Sequence, residues 1–130
     1  MTAPRHIVTP MRQVRGLGAA RSGTRDFWHQ RVTAVALVPL SIAMIVIAMS
    51  LMGRSYAAVA QILGSPLVAI LVLLFVAASA YHMWIGMQEI ILDYVHEDKL
   101  KLLSLMANAF FCAVAALACA FAILKLSFGV

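Results

Sequence analysis

His82 is the residue in this chain whose position most demands a chemical reason. It lies about four helical turns into an apolar segment, and Asp93 and Tyr94 close that segment about three turns later. Between Pro66 and Leu92 the only ionisable side chains besides Tyr81 are His82 and Glu89. A buried polar ring without a partner costs several kcal/mol, and an ionisable group inside a membrane span marks function by default. The chemistries that suit an imidazole there are ligation of a metal or haem iron, proton relay, and a plain hydrogen bond to another helix. At about 100° per residue, Glu89 and Asp93 return to within about 20° of the His82 direction. Ala78, Ser79 and Gly86 complete a stripe of small or polar residues, with Phe75 above. Such a stripe is unfavourable against lipid, so it must face protein or a cofactor. Gly86 leaves space beside the histidine, as a flat macrocycle requires, although glycine also serves ordinary helix packing. An interhelical hydrogen bond from His82, with Gly86 as a close-contact point, accounts for the same residues. Glu89 can snorkel to the headgroups, and Tyr94 can act as an aromatic-belt anchor.

The elements that position these residues follow from composition. The chain has 130 residues, is 64% hydrophobic and has a mean hydropathy of +0.97, against roughly 45–50% apolar for a soluble domain. An all-α integral membrane protein is expected. Three stretches, about 32–52, 66–92 and 100–124, approach or exceed the ~20 residues that cross ~30 Å of hydrocarbon. Three such helices enclose little on their own, so partners are expected. Arg5, Arg12, Arg15, Arg21, Arg25 and Arg31 precede the first span, Arg54 alone sits in the first connection, and Lys99 and Lys101 sit in the second. The positive-inside rule then places the N-terminus and second connection in the cytoplasm, and the first connection and C-terminus in the periplasm. The net charge of +5 reflects this topology and contact with anionic lipid, and it requires no nucleic acid.

Residues 1–24 form a basic cytoplasmic tail, and residues 25–130 the three-helix anchor. An Arg-rich tail also suits a transit peptide, but a bacterial cytoplasmic tail has the same composition, and the first span is too long for a signal sequence. The run Asp26 to Arg31 reads as an interfacial collar, Pro39 as a kink in the first helix, and Ser65-Pro66 as an N-cap with a first-turn proline. The third span carries the small-residue pairs Ala115/Cys119, Ala116/Ala120 and Ala118/Ala122 for close packing, and Asn108 for a hydrogen bond across the interface. Cys112 and Cys119 share a helical face inside that span, where cysteine acts as a small packing residue.

The run Tyr81-His82-Met83-Trp84-Ile85-Gly86-Met87-Gln88-Glu89, followed by Asp93-Tyr94-Val95, resembles the second helix of the small membrane-anchor subunit of succinate dehydrogenase, the D-type subunit of bacterial complex II. Upstream, Gly23-Thr24-Arg25-Asp26-Phe27 and Arg31-x-Thr33-Ala34 resemble the approach to that family's first helix. The resemblance extends from about Gly23 to the end of the third helix.

It implies that His82 is an axial ligand of haem b, the other ligand coming from a companion C-type anchor. It implies that Tyr94 hydrogen-bonds a ubiquinone carbonyl oxygen beside Asp93, and that Arg31 lies near the haem propionates. Glu89 and Arg25 depart from residues found in some relatives, glutamine and histidine respectively. The implied protein is a subunit of succinate:ubiquinone oxidoreductase in the bacterial inner membrane, not catalytic alone, fed by a flavoprotein through an iron–sulphur subunit. The competing readings are an anchor of a quinol:fumarate reductase and a haem-free structural or assembly subunit. A proton-coupled transporter using Glu89 ranks last, because inverted repeats and broken helices are missing from the sequence.

Overall fold

A computed structural model describes residues 23–129. The basic tail before Gly23, with Arg5, Arg12, Arg15 and Arg21, lies outside the described residues. The described residues form four helices in the order α1 (Gly23–Leu51), α2 (Tyr56–Leu63), α3 (Pro66–Tyr94) and α4 (Asp98–Phe128). Helices α1, α3 and α4 are each long and apolar enough to cross a membrane. The chain is therefore an all-α, multi-pass membrane protein.

All three spans are longer than the apolar stretches that announce them. Helix α1 begins at Gly23 and not near residue 32, because the collar from Asp26 to Arg31 is itself helical, with Asp26 complementing the positive end of the helix dipole. Helix α3 runs to Tyr94, and α4 spans Asp98–Phe128 where 100–124 was expected. Pro39 sits inside an α1 that continues to Leu51. The first connection, expected to be irregular, contains α2, whose N-cap Ser55 accepts a bond from the Ala58 amide at 3.5 Å. Ser65 does precede a first-turn proline, but its hydroxyl donates back to the Ile62 carbonyl at 2.7 Å instead of capping α3.

Helix α3 is the middle of the assembly. It packs against both α1 and α4, which make no extended contact with each other, while α2 lies against the start of α3 and the end of α4. Gly64 permits that last contact, since a Cβ there would meet the Leu126 carbonyl oxygen at 2.7 Å. On α4, Asn108 is buried, and its Nδ2 donates to the Trp84 carbonyl at 3.0 Å, as its place in an apolar span requires. Cys112 is buried beside it, whereas Cys119 is exposed, so the two cysteines do not share an environment. Ala115, Ala116 and Ala120 are half-buried, while Ala118 and Ala122 are exposed. Ile47, Ala69, Val72, Ile85, Ile91 and Cys112 are the buried apolar residues, and no described side chain is sealed completely. Most of the apolar surface therefore faces lipid or other proteins.

Candidate functional site

The polar residues of α1 recur at helical spacing. Asp26, His29, Gln30 and Thr33 fall on one face, and that face meets α3 at the level of His82. Thr33 Oγ1 stands 2.9 Å from His82 Nδ1. One turn earlier on α1, His29 Nδ1 lies 2.5 Å from the Tyr81 hydroxyl, and the Tyr81 ring sits between those of His29 and Trp84 at centroid distances of 5.7 Å, tilted by 48° and 50°. Two imidazoles and a phenol thus join the helices where side chains from the two faces meet.

His82 is half-buried. Its Nδ1 is engaged by Thr33, whereas Nε2 has no hydrogen-bond partner among the described residues. No buried side-chain polar atom among them is left unpaired, so Nε2 reaches the surface of the chain. Gly86, one turn on, presents no side chain, and a Cβ there would lie 3.4 Å from Gln30 Nε2. The space beside Gly86 is therefore bounded by the flexible end of Gln30 and not fully open.

Beyond Gln30 a cleft of about 470 Å³ is lined by Gly23, Phe27, Gln30, Arg31 and Glu89. Arg31 and Glu89 face it together without forming an ion pair. The Arg31 guanidinium lies over the Phe27 ring at 4.3 Å instead, and its N–H groups have no hydrogen-bond partner among the described residues. A second cleft of about 460 Å³ has Arg25, Asp26, His29, Tyr81, Trp84 and Gln88 in its wall. The Arg25–Asp26 pair at 3.9 Å joins an exposed guanidinium to a half-buried carboxylate at the limit of ion-pair distance and contributes little.

Tyr94 and Asp93 stand apart from this group. They end α3, twelve residues and so roughly 18 Å beyond His82. Tyr94 is 78% exposed, and among the described residues the one hydrogen bond at this end that involves a side chain is between His96 Nδ1 and the Tyr94 carbonyl, 3.1 Å. His82 and Arg31 are thus brought to one seam, and Tyr94 with Asp93 to the end of the same helix. The sequence reading missed Thr33, His29 and Gln30 as partners, although their spacing with Asp26 marks a polar helix face that must be covered.

The profile of the succinate dehydrogenase/fumarate reductase transmembrane subunit family matches residues 6–116. The chain belongs to this family. The succinate dehydrogenase hydrophobic membrane anchor subunit of Paracoccus denitrificans is 30% identical to this family member over 122 residues, 94% of each chain. The subunit of the same name from Rickettsia bellii (strain RML369-C) is 30% identical over 89 residues, 68% of this chain and 71% of the relative. No solved structure gives a significant match to this anchor. Membership in a family of anchor subunits implies companion subunits, in keeping with how little of this chain is buried.

Proposed function

We propose that this chain is the small membrane anchor of a bacterial succinate:ubiquinone oxidoreductase, contributing one axial ligand to haem b and part of the ubiquinone-reduction site. The observation that carries the reading is the state of His82: half-buried within a span, held at Nδ1 by Thr33, with Nε2 accessible and without a partner among the described residues. A haem shared with a companion anchor would be met from that side. The residues present fit such a group. His82 supplies a nitrogen donor, Gly86 adds no bulk beside it, and Arg31, whose N–H groups have no partner among the described residues, can meet a carboxylate such as a propionate. Bound there, haem supplies a one-electron redox centre.

Tyr94 and Asp93 suit the other role. A phenol at the end of α3, exposed in the single chain, can donate to a quinone carbonyl oxygen as negative charge develops there. Asp93 beside it can hold water for proton delivery. With the N-terminus and the second connection in the cytoplasm, this end meets a peripheral iron–sulphur subunit and its flavoprotein, and the C-terminus lies in the periplasm.

Purification with the companion subunits, followed by an absorption spectrum of the native complex and of His82→Ala, tests the reading. A low-spin b-type spectrum lost or strongly altered in the variant is expected. An unchanged spectrum rules out ligation by His82. A native complex without haem or quinone binding supports a structural subunit, for which the Thr33 hydrogen bond alone gives His82 its purpose. The family description covers fumarate reductase as well, so turnover is measured in both directions; the names of both relatives favour succinate oxidation.

A further inference from the structure

Thr33 Oγ1 lies 2.8 Å from the His29 carbonyl oxygen and 3.0 Å from the Gln30 carbonyl oxygen, as well as 2.9 Å from His82 Nδ1. A threonine hydroxyl owns one proton and two lone pairs. An oxygen held 2.8 Å from a carbonyl oxygen with no proton between them would set lone pair against lone pair. The proton is therefore committed to the backbone of α1, a habit of threonine in helices. What Thr33 turns toward His82 is a lone pair, and only an N–H can meet it.

We propose that Thr33 is a positioning residue that fixes the tautomer and plane of His82, with Nδ1–H donating to Thr33 Oγ1 and Nε2 left bare as the metal-binding atom. In a neutral imidazole one nitrogen carries the proton and the other accepts, so deciding Nδ1 decides Nε2. The hydrogen bond on the far nitrogen of a ligating histidine also orients the ring and strengthens it as a donor. Because Thr33 is tied to its own helix at the His29 and Gln30 carbonyls, the ring of His82 is referenced to α1, two residues from Arg31. No other described residue hydrogen-bonds His82, so loss of the hydroxyl leaves Nδ1–H without an acceptor. This assignment rests on haem ligation by His82.

The test compares Thr33→Ser, Thr33→Val and Thr33→Ala in the complex assembled with its companion subunits. It reads haem content per complex, the electron paramagnetic resonance of the ferric haem, and the haem midpoint potential. Val and Ala are expected to raise the potential, since an imidazole without its acceptor is a weaker donor to ferric iron, and to weaken haem retention by about 10-fold or more. Ser keeps the oxygen and is expected to restore both. Ala adds no bulk, which separates loss of the hydroxyl from any packing fault introduced by Val. Wild-type potential and haem content in Val and Ala overturn the assignment, as does a Ser variant that shifts as far as Val. His82→Ala, measured alongside, distinguishes the two levels of the argument: if that variant keeps the low-spin signal, the ligand reading itself fails and Thr33 falls with it.

Discussion

Replacing Gly64 by alanine should loosen the end of the bundle remote from Tyr94 and leave the proposed haem and quinone residues untouched. A Cβ at this position would sit 2.7 Å from the Leu126 carbonyl oxygen and 2.9 Å from that of Ala60. Reaching the ordinary 3.4 Å requires α4 to withdraw by 3.4 − 2.7, about 0.7 Å. Both neighbours are backbone atoms, and the Ala60 carbonyl already accepts from the Gly64 amide at 2.8 Å, so neither can rotate away as a side chain would. Overpacking of this kind costs roughly 1–3 kcal/mol. Withdrawal also stretches the bond from Ser127 Oγ to the Gly64 carbonyl, now 3.3 Å, for about a further 0.6 kcal/mol. The backbone of Gly64 is ordinary right-handed helix at φ −77°, so no backbone strain adds to these costs. At tenfold per ~1.4 kcal/mol, the opening equilibrium of the α2–α4 contact should rise roughly 15- to 400-fold. Hydrogen exchange of residues 56–69 in the purified complex measures it. Gly53→Ala is the control: at φ +72° with nothing within 4 Å, it bears backbone strain without a clash and should not release α4. Exchange unchanged in Gly64→Ala, or raised equally around α4 in Gly53→Ala, would refute the close-approach argument.

Two further substitutions address the proposed site. Tyr94→Phe keeps the interfacial ring and loses the hydroxyl, so succinate:ubiquinone turnover should fall at least tenfold while succinate oxidation by an artificial acceptor and haem content stay near wild type; turnover at the wild-type level across ubiquinone concentrations would return Tyr94 to the aromatic belt. Arg31→Leu should weaken haem retention or shift the midpoint potential through loss of a charge-assisted partner, and wild-type occupancy and potential would leave Arg31 as a topology signal.

The sequence made the three spans plain because hydropathy measures what lipid demands of a segment. It understated their length for the same reason: Arg25 to Arg31 and Lys99 to Lys101 continue helices through the headgroup region, where apolarity stops but backbone hydrogen bonding does not. Helix α2 was missed because eight residues hold barely two turns, and only Ser55 and Gly64 mark its ends. Asn108 was legible as a hydrogen-bonding residue, since an amide inside an apolar span has few alternatives. The partner of His82 was not legible. Choosing Thr33 over any other group requires the relative depth and rotation of α1 and α3, which arise from contacts spread along both helices. Tyr94 and Asp93 could be singled out by type and register, yet their side chains gain no hydrogen-bond partner among the described residues, so the structure adds nothing to what their types and positions suggest.

His82 and Tyr94 are carried by one unbroken helix, and this makes the helix a ruler as well as a support. Any side chain between them can be exchanged, within the limits of packing, without altering how the two residues face one another. Adding or deleting a single residue in the same interval would swing one end by about 100° relative to the other and change their separation by about 1.5 Å. Either His82 would leave the Thr33 seam or Tyr94 would turn away from its surface. The segment from Met83 to Leu92 should therefore tolerate replacement far more readily than any change in its length.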